Sequence, residues 1–389
     1  LRHVEHGAYH RAARITRQRG SVSTQSAAVG YLDLGSPAPW AIADLMPGAA
    51  RLMDYAQVTA ADVVLVLTER GVDPLALQAI VAAAAVRGAS VHVLAVPPFS
   101  PGGADRTGPD ALVRAAVAEA DVVIGCTWWA EVHSAPLFFT EIPALGVRFA
   151  SLHMAATASA LATGARFPLE LLYAIKRRLL ERCLAARTMR VRTRHGTDVA
   201  FRGLRFDVDV GPLEPGMWRP FPVGGVNFYP DDTEGVLVVE ESTVTGVPSE
   251  PVRIVLRENV VTEIAGGLDA ERLRRFGPAG YYLRHAFIGL NPRVRLRGGT
   301  QFEREKHAGA FYLGIDGLAA DGRPDRSGPG HAHCDCQFDR PTIDLDGEPV
   351  VVDGHLLVLD EPTIREAAAA FGDADALLDD EAVVPLPGP

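Results

Sequence analysis

Residues 62–96 read "DVVLVLTERGVDPLALQAIVAAAAVRGASVHVLAV". The run 62–68 is short, apolar and rich in Val and Leu, and so is 90–96; between them lies an Ala-rich stretch that stops at Gly88. Such an order predicts strand, helix, strand, with the glycine ending the helix. The runs are apolar almost throughout rather than alternating, which suits a parallel sheet covered on both faces. The pattern continues downstream. "PDALVRAAVAEA" (109–120) predicts a second helix and "DVVIGC" (121–126) a further buried strand. No G-x-G-x-x-G follows the first strand and no Walker-type loop occurs, so a dinucleotide or P-loop reading lacks its phosphate cradle. "RFPLELLYAIKRRLLERCLAARTM" (166–189) is a strongly amphipathic helix that leads out of this region.

Beyond it the texture changes. "MRVRTRHGTDVAFRG" (189–203), "GVLVVEESTVTG" (235–246), "VRIVLRENVVTEIAGG" (252–267) and "TIDLDGEPVVVDGHLL" (342–357) are short alternating segments punctuated by Gly, Asn and Asp. They predict antiparallel hairpins. The expected fold class is therefore an α/β N-terminal layer domain with a mostly parallel sheet, followed by a β-rich, α+β C-terminal domain. The expected boundaries are an extension over 1–40, the α/β domain over 41–187, the β-rich domain over 188–365 and an acidic tail over 366–389. Residues 320–330, "ADGRPDRSGPG", read as a loop.

The totals narrow the function. A formal net charge of -10, with no long basic run past the N-terminal segment, disfavours nucleic acid and anionic membrane as partners. Four cysteines in 389 residues do not make a disulfide framework, and the expected compartment is the cytoplasm. The apolar stretch within 61–88 is broken by Glu69, Arg70 and Asp73, so no membrane span is expected. Residues 1–20 carry Arg and His but no hydrophobic core, unlike a signal peptide.

The chemistry concentrates in "HAHCDCQF" (331–338). On a strand, His331, His333, Asp335 and Gln337 fall on one face, with Cys334 and Cys336 on the other. His333 and Asp335 are spaced to reach one ion from neighbouring pleats; the same pair can equally be a hydrogen-bonded His–Asp couple. His285, ahead of the turn signal Gly289 and Asn291-Pro292, is the best third ligand, and its alternative is a buried histidine bonded to a carbonyl. His331 stands too far along the strand to join both others on one ion and reads as a catalytic or substrate-facing group, with Gln337 lining the pocket. Cys334 and Cys336 read as small buried hydrophobes, because a zinc site would need two further soft ligands.

The run 285–354, "HAFIGLNP…EREKHAGAFYLGIDG…HAHCDCQFDRPTIDLDGEPVVVDG", resembles the superfamily that holds the aminopeptidase T-like metallopeptidases and the 2,5-dihydroxypyridine 5,6-dioxygenases. The likeness extends over about 45–355. The peptidase branch resembles "E-L-G-I-G-T-N-P", then "G-T-x-H-I-A-L-G", then "H-x-D", and holds two metals. Here His285 stands at the first Glu, Ala310 at the middle His, and Glu234 is the counterpart of a further Glu. Two His and one Asp survive, which resembles the dioxygenase branch with a single Fe(II) on His285, His333 and Asp335. That resemblance implies cleavage of a hydroxylated N-heteroaromatic or related phenolic ring by O₂, in a homo-oligomer. The alternatives are a two-metal aminopeptidase, with His307 as substitute ligand, and a metal-free binding homologue.

"CTWWAEVHSAPLFFTE" (126–141) follows a buried parallel strand, at the end where such sheets place ligands. Trp128 and Trp129 are candidates to stack on a ring, Ser134 to bind its hydroxyl, and His133 to move a proton, against plain surface packing. His153 is a further candidate of the same kind. Tyr281, Tyr282 and Tyr312 are candidate pocket walls, Glu263 and Glu303 candidate partners of a metal histidine, and His195 reads as exposed.

Overall fold

The computed structural model describes residues 41–97, 111–127, 141–295, 300–319, 321–324 and 331–380. The first sheet is parallel throughout, in the order Ser90–Val96, Val63–Glu69, Val122–Cys126, Arg148–Ser151, Trp218–Pro220. Its strand Val63–Glu69 alternates faces even though nearly every residue is apolar. Val64 and Val66 turn into a core shared with the helices Ile42–Tyr55 and Pro74–Val86, while Leu65 and Leu67 turn into a second core with Val113 and Val117. Both faces are covered, as an apolar parallel strand requires. The helix Pro74–Val86 starts on an Asp73 side chain that accepts from the Leu75 and Ala76 amides, satisfying donors that have no partner within the helix.

The second sheet is antiparallel and large, running from Glu241–Ser242 through His331–Phe338, Phe311–Gly317 and Tyr281–Gly289, then through seven more hairpin strands as far as Glu348–Val352, with His355–Leu356 at the far edge. The amphipathic helix Leu169–Ala185 buries Leu171, Leu172, Ile175, Leu179, Leu180 and Cys183 in the same core as this sheet's inner face. Its polar side faces outward. At the start of the acidic C-terminal segment, Pro362–Ala369 and Ala374–Leu378 are short helices that send Ile364, Ala368, Leu377 and Leu378 into that core.

The two sheets are tied together. Trp218–Pro220 lies beyond the bridging helix in sequence yet returns to add the edge strand of the parallel sheet. Asn291 donates its side-chain amide to the Gly164 carbonyl at 2.9 Å, and a Cβ on Gly164 would sit 2.5 Å from Val294 Cγ2. The turn Gly164–Arg166, just ahead of the bridging helix, thereby meets the segment that follows Tyr281–Gly289. Among the described residues no helix is long and apolar enough to cross a membrane.

Candidate metal centre

Three neighbouring strands build the centre. His285 pairs across the sheet with Gly314, and Gly314 with Asp335, so the three residues stand in one row on one face. His333, two residues before Asp335, shares that face. Gly314 is what lets the row close over itself. A Cβ there would lie 2.3 Å from His285 Nε2 and 2.9 Å from His333 Cε1.

Two register shifts aim the ligands. Leu283 pairs with Ile315 but His285 with Gly314, leaving Arg284 as an extra residue. On the other side Ile315 pairs with Cys334 and Gly317 with His331, and Ala332 takes a positive φ of 53°. Bulges of this kind re-aim side chains and cluster beside active sites. The expected alternation therefore holds from His333 to Phe338, with Cys334 and Cys336 in the core as read. It breaks at Ala332, which puts the His331 backbone out of step with the row; the His331 side chain lies outside the described part of the protein.

One ligand atom from each of His285, His333 and Asp335 falls within 4.8 Å of the others. Asp335 Oδ1 is 3.0 Å from His333 Nε2 and 3.7 Å from His285 Nε2. Among the described residues His285 Nε2 and Asp335 Oδ1 are buried without a well-formed hydrogen bond, Asp335 Oδ1 having only the ion-pair contact with His333 Nε2. Buried polar atoms are ordinarily paired, and two such atoms converging on a point fit a missing cation. Two imidazoles and one carboxylate on one side, with the other side open, is the donor set of non-heme Fe(II) oxygenases.

The surroundings hold the ligands in place. Asp316, fully buried, accepts from His333 Nδ1 at 2.5 Å and is itself held by Arg284 at 3.2 Å and Tyr282 at 3.4 Å. Its carboxylate holds a proton on His333 Nδ1 and so turns Nε2 to the centre. Burial by itself would lower the His333 imidazole, but Asp335 and Asp316 raise it well above its ordinary value. Burial would raise Asp335, yet His333 and His285 keep it well below the usual carboxylate range. The Asp335 backbone is pinned too: its N–H donates to Thr243 Oγ1 at 3.0 Å, and its carbonyl accepts from Gln301 Nε2 at 3.3 Å.

Phe287 and Tyr312, a cross-strand pair next along the same face, have ring centroids 5.0 Å apart. Above them a buried Lys306 lies 4.6 Å from the Phe287 centroid and 3.8 Å from that of Phe302, paired with Glu305. The His153 ring lies against Phe302, centroids 3.6 Å apart and planes tilted by 51°, with its Nδ1 3.1 Å from Ser151 Oγ. Burial above all, and Lys306 as well, lowers its basicity well below the ordinary imidazole value, so it stands neutral at the site.

The remaining sequence candidates divide clearly. Trp128, Trp129, His133 and Ser134 lie outside the described residues. Tyr312 does border the centre, its ring 5.8 Å from that of His285, and Tyr282 reaches it through Asp316, whereas Tyr281 donates to the Leu273 carbonyl. Glu303 is buried in a capping box with Thr300, and Glu263 is an exposed partner of Arg253. His307 donates from Nδ1 to the Val294 carbonyl at 2.8 Å, and Glu234 is exposed. Sequence reading missed Gly314, Asp316, Glu305 and Lys306 as parts of the site. Asp316 carried a faint signal in "GIDG", but which strand it faces is fixed only by register. His195, exposed as expected, forms a second group with Glu240 and Asp339 whose nearest atoms also converge within 4.8 Å; Arg194 donates to both His195 and Asp339 there.

A parallel sheet tied to a large antiparallel sheet is the fold of aminopeptidase T-like proteins: the chain is similar to AmpT from Thermus thermophilus with a TM-score of 0.55 at 13% identity, covering 82% of this chain and 100% of that one. It is similar also to 2,5-dihydroxypyridine dioxygenase from Pseudomonas putida KT2440, with a TM-score of 0.61 at 22% identity over 82% of this chain and 98% of that one. The family model for 2,5-dihydroxypyridine 5,6-dioxygenase matches residues 44–358, and the chain belongs to that family. No curated protein sequence matches it.

Proposed function

We propose that the protein is a mononuclear Fe(II) dioxygenase that opens a hydroxylated N-heteroaromatic ring with O₂, 2,5-dihydroxypyridine or a close relative. Family membership supports a ring-cleaving dioxygenase. The observation that carries the metal assignment is the convergence of His285, His333 and Asp335 over a glycine that leaves them room, with His285 Nε2 and Asp335 Oδ1 buried and without a well-formed hydrogen bond among the described residues. His285, His333 and Asp335 would hold the iron, and when bound it supplies adjacent positions for a ring hydroxyl and O₂ and a route for electrons between them.

The chain's own groups do the rest. Asp316 keeps the proton of His333 on Nδ1, away from the centre. Phe287 and Tyr312, tilted 36° to each other, give an apolar floor that borders the ring. His133 is proposed to take and return the hydroxyl proton, with Trp128, Trp129 and Ser134 as ring contacts and His331 as an auxiliary group; His153, whose basicity burial lowers, is proposed as a wall of the site. The four cysteines are buried and form no disulfide, in keeping with a proposed cytoplasmic setting, and assembly into a homo-oligomer is proposed on family grounds.

A two-metal aminopeptidase fits less well. Ala310 offers no ligand, His307 is committed to a backbone carbonyl and Glu234 is solvent-exposed on a distant strand. Oxygen uptake by anaerobically purified, Fe(II)-loaded protein given 2,5-dihydroxypyridine tests the proposal. Rapid uptake that disappears in His285→Ala supports it. Iron-loaded protein that consumes no oxygen with this or any related hydroxypyridine rules it out.

A further inference from the structure

The chain contains only two lysines, Lys176 and Lys306, against 36 arginines, and both line a single cleft of roughly 270 Å³. The cleft runs between the edge of the parallel sheet and the antiparallel sheet, and Lys306 and Phe287 are among its walls. Among the described residues two buried polar atoms along it have no hydrogen-bond partner, Tyr173 OH and Asn227 Oδ1. Asn227 pairs across the sheet with Phe287, on the strand that carries His285. The cleft therefore abuts the ring-sized floor beside the metal centre.

Lys306 is 2% exposed, and its ammonium is paired with Glu305. An ammonium has three N–H groups. Among the described residues the other two meet only the faces of Phe287, Phe302 and Tyr312. Burial works against both charges, pushing the Glu305 carboxyl up to about 7 and the Lys306 ammonium down. Replacing such a pair by apolar groups is often neutral or stabilising, so packing does not explain its presence. A compact charge with donors to spare, next to the floor and open to a cleft with further unsatisfied polar atoms, is a binding device.

We infer that Lys306 is a specificity-determining residue, donating to an oxyanion substituent on the edge of the substrate ring that faces away from the metal. This rests on the ring-cleavage reading above and names its substrate class: a hydroxylated N-heteroaromatic with a second oxygen function, either a ring oxygen or a carboxylate for which the cleft leaves space. Phe287 and Tyr312 border the ring, the metal ligands set one edge, and Lys306, lying over the Phe287 face, reads the other. A hydrogen bond from a charged donor corresponds to about 10- to 100-fold in affinity.

The test is anaerobic calorimetric titration, in which no turnover occurs, of Fe(II)-loaded protein with 3-hydroxypyridine, 2,5-dihydroxypyridine and 5-hydroxypyridine-2-carboxylate. Wild type is expected to bind one or both of the two-function rings about 10- to 100-fold more tightly than 3-hydroxypyridine, and the tighter of the two identifies the oxyanion. Because Lys306→Met alone would strand a buried Glu305, the neutral pair Glu305→Gln/Lys306→Met is used, with Lys306→Arg as the variant that keeps the charge. The preference should collapse to within about threefold in the neutral pair and return in part with Arg, while bound iron stays at the wild-type level. A preference that survives in the iron-loaded neutral pair overturns the assignment of Lys306 alone. Iron-loaded wild type that binds none of the three rings overturns it together with the ring-cleavage reading.

Discussion

Gly314 carries as much of the centre as the three ligands. Its missing side chain is the space in which the His285 and His333 rings approach each other, with a Cβ of the substituted residue falling 2.3 Å from His285 Nε2. Gly314→Ala is therefore expected to fold, since Ala is compatible with a strand, but to lose tight metal binding; equilibrium dialysis against Fe(II) or Zn²⁺ measures this. Asp316→Asn keeps the shape and removes the charge behind His333, and metal affinity should drop about 10- to 100-fold, as for other outer partners of metal histidines. Retention of wild-type affinity would mean that Asp316 serves only the Arg284 pair. His333 and Asp335 were legible because they are two residues apart in one alternating strand. His285 was singled out by the turn signal at Gly289 and Asn291-Pro292 that follows it, whereas Gly314 and Asp316 were not, because their roles come from cross-strand register.

At the scale of elements, most of what alternates or repeats was readable. The apolar parallel strands, the Ala-rich helix stopped at Gly88, and the inward Cys334 and Cys336 all follow from periodicity. The two bulges do not. An extra residue at Arg284 and the break at Ala332 depend on what the neighbouring strand offers, and no local pattern announces them. The short helix Gln301–Arg304 is a similar case. It positions Gln301 against the Asp335 carbonyl and leads into Glu305 and Lys306, and its first turn is closed by the Thr300–Glu303 capping box. Thr300→Ala should cost about 1 kcal/mol in a denaturant melt, with metal stoichiometry unchanged. A cost near zero would show that packing alone holds this turn.

For the whole molecule, the decisive feature is that the centre forms where the two sheets meet. His153 comes from the carboxyl end of the parallel sheet and the ligands from the antiparallel one, with Phe302 between them. Sequence texture separated the two regions but could not show that Trp218–Pro220 crosses back to the first sheet. The C-terminal helices are closed down by His355, which bridges Asp360 and Asp380 at 2.8 and 2.9 Å. Despite partial burial, those carboxylates raise its imidazole. A raised folded pKa contributes stability fully below the unfolded value near 6.5 and loses it as pH climbs through the folded one. Proteolysis near the C-terminus should therefore quicken from neutral to mildly alkaline pH, and His355→Gln should remove that dependence.

The central claim is one metal per chain on His285, His333 and Asp335. Anaerobic Fe(II) titration followed by metal analysis of the desalted protein tests it most directly, in wild type and in His285→Ala, His333→Ala and Asp335→Ala. One equivalent in wild type and none in each variant is the expected result. Two equivalents in wild type, or one equivalent undiminished by all three substitutions, would contradict it.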